Sequence, residues 1–211
     1  MSRLRYNRRQ AVEHLRRQCR SLGPFIDRCG PLRLRVAKDA GLFSALAAAI
    51  VYQQLSGKAA STIHGRFAAL FEDGKPEPVG AYLLTMESLR GAGLSRNKAL
   101  AIRDLAEKSL DGTLKPMRRM SRLSDEEIIE DLCRVRGVGP WTAQMFLIFD
   151  LGRPDVMPAT DLGVQKGVQA VYAMAGLPLP EEVVARTRHL APYRSAASWY
   201  FWRAADAGLI T

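Results

Sequence analysis

The sequence predicts an all-α fold on three observations. Apolar residues recur at spacings of three and four through most of the chain, Ser and Asp stand where such segments begin, and no convincing alternation of apolar with polar residues marks a strand. With 211 residues, 47% of them apolar, the chain has enough material to bury a core of its own. No fixed-period repeat or low-complexity tract interrupts it, so roughly eight to ten helices are expected.

Residues 1–43 read as helical and basic. "SALAAAIVYQQL", with Ser44 as N-cap, is apolar on most faces and predicts a buried core helix. "GKAASTIHGRFAALF" has the narrower stripe of an amphipathic helix ending near Phe71, where "EDGKPEPVG" breaks it with charge, Pro and Gly. A cap at Ser95 opens "SRNKALAIRDLAEKSL", with Leu100, Ile102 and Leu105 at helical spacing until Asp111 and Gly112 stop it. Ser124 and, three residues on, Glu127 form a capping box, each side chain satisfying an orphan amide at the helix start. "WTAQMFLIFDLG" is a further apolar helix, "RPDVMPAT" an extended linker, and "DLGVQKGVQAVYAMA" and "SAASWYFWRAADAG" two more helices.

Composition excludes several classes. No apolar run approaches the roughly eighteen residues of a membrane span, and the N-terminus lacks the apolar stretch of a secretory signal, which predicts a soluble intracellular protein. Cys19, Cys29 and Cys133 are odd in number and widely spaced, which excludes a disulfide scaffold and a four-cysteine metal site and predicts reduced thiols. No pair among His14, His64 and His189 has metal-ligand spacing. Of the formal net charge of +10, residues 1–38 hold eleven Lys and Arg against two acids, while the remaining 173 residues hold twenty against nineteen. Two readings of that basic segment stay open: contact with a polyanion, where each cation near a phosphate releases counterions, or a solvated terminus. Its Arg-rich start also has features of an organelle transit peptide, against which stand Glu13 and the lack of serine enrichment.

One stretch points to chemistry. In "RVRGVGPWTA", residues 134–143, two glycines flank a valine between two helices. Gly137 and Gly139 can adopt positive φ and carry no side chain, so their amides can face outward and a bulky group can approach the backbone. Pro140 suits the first helical position, and the helix it opens directs its positive end the same way. The product is an anion cradle made of backbone, which reads charge rather than base identity and so suits a nucleic-acid phosphate. The spacing of Leu132, Val135, Gly137, Val138, Gly139, Thr142 and Ala143 is that of a helix-hairpin-helix motif over about 125–150, with a corner whose glycines serve packing alone as the alternative.

"VRGVGPWTA" is followed by "MPATDLGVQKG" and preceded by "AIVYQQLSGKAA" and "GLSRNKALAIRDLA". From about Phe25 to Trp202 the chain thereby resembles the helix-hairpin-helix (HhH-GPD) DNA glycosylase superfamily, in its alkylation-repair 3-methyladenine DNA glycosylase II branch. The resemblance implies an all-α, two-lobed fold with the active-site cleft between the lobes and no N-terminal β domain. The central lobe would span 44–164, and the terminal lobe 1–43 plus about 165–211. It implies a monofunctional DNA glycosylase of base excision repair that flips alkylated purines, 3-methyladenine or 7-methylguanine among them, out of double-stranded DNA and hydrolyses the N-glycosidic bond.

Residue by residue, Asp161, twenty positions after Trp141, matches the family's catalytic aspartate, although a Thr-Asp pair before a helix also suits a plain N-cap. Trp141 stands where lyase branches carry a lysine nucleophile, which implies hydrolysis without a Schiff base. Trp141 and Tyr193 match base-pocket aromatics, whose faces attract a cationic alkylated base; in the best-known relative the position of Tyr193 is a tryptophan. Trp199 and Trp202 read as core. Gln54, with Leu55 as rival, matches the minor-groove wedge that fills the hole left by flipping. Gly137, Val138, Gly139 and Thr142 form the phosphate-binding hairpin, and Ser95, Arg96 and Lys98 a further DNA contact at a helix start. No cofactor is required, while the hairpin carbonyls suit a structural Na+ or K+. A monomer is expected, in the cytoplasm with the nucleoid in a bacterium or in the nucleus of a eukaryote. A reading from another class is a non-catalytic helix-hairpin-helix DNA-binding module or accessory subunit, and the lesion range stays open.

Overall fold

The computed structural model describes residues 4–37, 41–120 and 122–206, and among them every regular element is helical. Helices α1 (Arg8–Gln18) and α2 (Gly23–Cys29) precede an extended segment, residues 31–37, in which Leu32 and Leu34 are buried and Arg33 and Arg35 exposed. There follow α3 (Gly41–Tyr52), α4 (Gly57–Ala68), α5 (Pro78–Leu83), α6 (Met86–Gly91), α7 (Arg96–Leu110), α8 (Met117–Met120), α9 (Asp125–Leu132), α10 (Pro140–Phe149), α11 (Leu162–Val171), α12 (Pro180–Thr187) and α13 (Arg194–Asp206). The thirteen α-helices described exceed the eight to ten expected because α2, α5, α6 and α8 have seven residues or fewer, too short to show a period.

The start signals act as their chemistry requires. Ser95 Oγ accepts the Lys98 N–H at 3.3 Å, and Ser124 and Glu127 exchange the two bonds of the capping box at 3.1 and 2.8 Å. Pro140 is the first residue of α10, where it forfeits no hydrogen bond. Ser44 differs from expectation: α3 begins at Gly41, so Ser44 lies in its first turn rather than at its cap.

The chain divides into two units, residues 1–38 with 147–211 and residues 39–146. Residues 147–164, expected in the central lobe, therefore belong with the termini. The reason is hydrogen bonding: Ala37 N donates to Phe149 O at 2.7 Å, and Ser195 N to Pro154 O at 3.0 Å. The Arg194 guanidinium also forks onto Asp155 through two bonds of 2.8 Å. Burial alone would raise the Asp155 carboxyl, but these Arg194 contacts outweigh it and hold the group below its ordinary range.

In the central unit α3 packs against α4 and α7, with Leu46, Ala47, Ile50 and Val51 fully buried, as an almost uniformly apolar helix must. In the terminal unit α11 lies tightly on α13. Gly163 and Gly167, four apart on α11, make the approach possible: a Cβ on Gly167 would stand 2.0 Å from the Phe201 carbonyl oxygen, and one on Gly163 2.8 Å from the Trp202 ring.

Candidate functional site

In the central unit the turn between α9 and α10 takes up the hairpin geometry. Gly137 has φ of 75°, which its lack of a side chain allows. Gly139 does not adopt positive φ; space around its Cβ position is open, so its contribution is access to the backbone. The cradle is narrower than the sequence suggests. Arg136 N donates to Asp104 Oδ2 at 2.7 Å, and Val138 N to Val135 O at 3.0 Å, while the Gly139 amide has no acceptor among the described residues. Val138 and Thr142 are each only 4% exposed. Thr142, expected in the phosphate-binding hairpin, has its hydroxyl oxygen turned to Gln53, from whose Nε2 it accepts at 3.2 Å, while its backbone lies in the first turn of α10.

The turn after α3 is the second feature of this unit. Gln54 and Leu55 are both exposed, Leu55 by 39%, and Gln54 has φ of 55°, the left-handed region that a side chain disfavours. Beside it Gln53 Nε2 donates to Gly137 O at 2.9 Å. Lys98, expected to face DNA, turns inward: its Nζ donates to Val51 O and Gln53 O, both at 2.7 Å. Desolvation pulls the Lys98 ammonium below the ordinary lysine range. Ser95 remains exposed at the start of α7, beside a shallow hollow of about 750 Å³ lined by Met86, Arg90 and Gly93 among others. Trp141, on the first turn of α10, is 40% exposed, unusual for so large an aromatic.

In the terminal unit Asp161 is the N-cap of α11. Its Oδ1 accepts the Val164 N–H and the Trp202 indole N–H, each at 2.8 Å, so the carboxylate is both cap and fixed charge. Phe149 stacks on Trp202 at 5.6 Å between ring centroids. Trp202, expected to be plain core, is thus a direct partner of Asp161. The sequence signal that could have found it is the Gly163–Gly167 pair, which brings α13 close enough.

Tyr193 stands between two rings that sequence reasoning missed, Tyr6 at 5.7 Å and His14 at 5.2 Å between centroids. Tyr6 Oη and His14 Nε2 are buried without a hydrogen-bond partner among the described residues, and burial pushes the Tyr6 phenol above its ordinary range. Burial likewise raises the Asp150 carboxyl, just past α10, to about 6. Cys19, Cys29 and Cys133 are free thiols. Among the described residues no group of three or more His, Cys, Asp or Glu could hold a metal ion, and no helix is long and apolar enough to cross a membrane.

Comparison with known proteins bears on these features. A family model described as HhH-GPD superfamily base excision DNA repair protein matches residues 47–192. DNA-3-methyladenine glycosylase 1 of Schizosaccharomyces pombe is 36% identical over 162 residues, spanning 76% of this chain and 71% of that protein. The solved 3-methyladenine DNA glycosylase of the same yeast, in complex with abasic DNA, has a TM-score of 0.88 at 32% identity and covers 96% of this chain and 99% of its own. DNA-3-methyladenine glycosidase from Bacillus halodurans has a TM-score of 0.82 at 34% identity, covering 92% and 88%.

Proposed function

The chain belongs to the HhH-GPD superfamily of base excision DNA repair proteins, and from that premise we propose that it is a monofunctional DNA glycosylase of the 3-methyladenine type. It flips an alkylated purine, 3-methyladenine or 7-methylguanine among the candidates, from double-stranded DNA and hydrolyses the N-glycosidic bond. The observation that carries this reading is the Asp161 carboxylate, fixed through Oδ1 by Trp202 and Val164 downstream of a hairpin that is followed by Trp141 instead of a lysine. The names of the relatives and the abasic DNA bound by one of them support DNA as the partner.

The chemistry needs little else. An N-alkylated purine is cationic, so its C1′–N bond breaks with the electron pair leaving on the base, which departs neutral. Asp161 stabilises the sugar cation that remains and takes a proton from the water that adds to C1′. Trp141 and Tyr193 each offer an aromatic face to a cationic base, an attraction of about 0.5–2 kcal/mol. Gln54 and Leu55 act as the wedge, and the hairpin holds phosphate through the Gly139 amide and the first turn of α10. A cation at the hairpin would rest on backbone carbonyls alone, a donor set that suits Na+ or K+ better than zinc, with Gly137 O already shared with Gln53.

The test is release of free base from methylated duplex DNA by wild type and Asp161→Asn. Wild type is expected to release 3-methyladenine or 7-methylguanine and leave alkali-labile strands, with the variant slower by about a hundredfold or more and unchanged in DNA affinity. Salt-dependent DNA binding by both proteins without base release would reduce the hairpin to a docking device.

A further inference from the structure

We propose that Lys98 and Gln53 are positioning residues, bracing the Gln54–Leu55 turn between α7 and the hairpin so that the wedge is preset before DNA arrives. The inference rests on the wedge role in the glycosylase reading. Helix α3 ends at Tyr52, and its last carbonyls have no intrahelical donor. Lys98 Nζ satisfies Val51 O and Gln53 O together, at 2.7 Å each. From the other side Gln53 Nε2 grips the hairpin, at 2.9 Å from Gly137 O and 3.2 Å from Thr142 Oγ1. Arg136 N, held by Asp104 Oδ2 at 2.7 Å, ties the same hairpin back to α7. The loop closes through three segments, α7, the α3 end and the hairpin.

The residue that follows this double attachment is Gln54, in the left-handed conformation at φ 55°. A non-glycine residue keeps such a conformation only where its surroundings over-determine it. Here the determinants are the bonds on Gln53, one residue away. Gln54 and Leu55 themselves are exposed, so the strain presents two side chains to solvent instead of burying them. A turn free to rearrange would lose conformational entropy on entering the base stack, and a braced one has lost it on folding. The lysine is suited to this: its ammonium is a compact triple donor on a long stem.

Lys98→Met, Lys98→Arg and Gln53→Leu forms of the full chain separate this role from general stability on two readouts. The first is single-turnover release of 7-methylguanine from a paired duplex and from the same duplex with an abasic analogue opposite the lesion, where no pair must break. Lys98→Met and Gln53→Leu are expected to lose on the order of tenfold or more on the paired duplex and less than about twofold on the unpaired one, with Lys98→Arg partly restored. The second is the fluorescence of 2-aminopurine opposite a tetrahydrofuran abasic site, which rises when a wedge unstacks it and needs no base release. Wild type is expected to raise it, and Lys98→Met to leave it flat at saturating protein. Equal losses on both duplexes, or wild-type behaviour of the variants on both readouts, would overturn the brace. A wild type that raises the fluorescence but releases no base, with flat variants, would sink the glycosylase reading and leave the brace standing.

Discussion

At Asp161 the structure shows one of two readings of the sequence, the cap, and the catalytic carboxylate is the proposal built on it. The Thr-Asp pair before a helix reads equally as cap and as catalytic carboxylate, and the structure has Oδ1 accept from Val164 N and from Trp202 Nε1, each at 2.8 Å. Capping fixes where the carboxylate sits, which is compatible with the proposed catalytic role. Trp202→Phe removes the N–H and keeps a ring beside Phe149. The kcat for base release is expected to fall about tenfold with KM nearly unchanged and the melting temperature lowered by only a few degrees, because one charge-assisted hydrogen bond is worth about 1.5–3 kcal/mol. A matching rise in KM, or loss of the fold, would make Trp202 plain core. The cap at Asp161 is legible in the sequence because its signal, a Thr-Asp pair before a helix, is local. Trp202 is not, since its partner lies 41 positions away. Lys98 is legible as a cation but not in direction: nothing in "SRNKAL" tells an outward ammonium from one folded back on the end of α3.

At the scale of elements, long periodic helices are readable and short ones are not: α5, α6 and α8 span six residues or fewer and show no period, although Glu77 and Thr85 cap α5 and α6. The unit boundary falls elsewhere than the sequence suggests for a related reason. "RPDVMPAT" reads as a linker by composition, yet Asp155 and Pro154 are tied to the start of α13 by bonds that only the folded chain reveals. The Gly163–Gly167 pair carries a geometric signal that periodicity does not register. Gly167→Ala would place a methyl 2.0 Å from the Phe201 carbonyl oxygen, which belongs to backbone and cannot rotate away. It is expected to destabilise the fold by about 3 kcal/mol or more. Thermal unfolding checks the value, and since α11 also carries the Asp161 cap, base release should fall with it. An unchanged melting temperature would mean that α13 can shift, and that the approach of the two helices is not what fixes Trp202.

At the scale of the molecule the charge is lopsided: residues 1–38 supply eleven Lys and Arg against two acids, and the other 173 residues are close to neutral. Folding accounts for part of it. Arg8 donates to Leu34 O at 2.9 Å, Arg16 pairs with Asp27 at 2.6 Å, and Arg9 lies 3.6 Å from Glu13. Arg17, Arg20, Arg33 and Arg35 are exposed, and the alternation of Leu32 and Leu34 with Arg33 and Arg35 turns two cations outward from a buried apolar anchor. In the proposed reading a hairpin of backbone amides holds a phosphate and an aromatic site a base, but neither attracts a duplex at long range. A field of arginines does, through counterion release. Replacing all four by Gln should therefore weaken binding to damaged and undamaged duplex alike. It should also reduce the slope of log K against log salt by about 0.9 for each phosphate that is no longer neutralised, while single-turnover base release at saturating protein stays as in wild type. Anisotropy titrations across a range of KCl concentrations measure that slope. An unchanged slope would make the basic segment a solvated surface, leaving the amides of the hairpin and the start of α7 to hold the duplex alone.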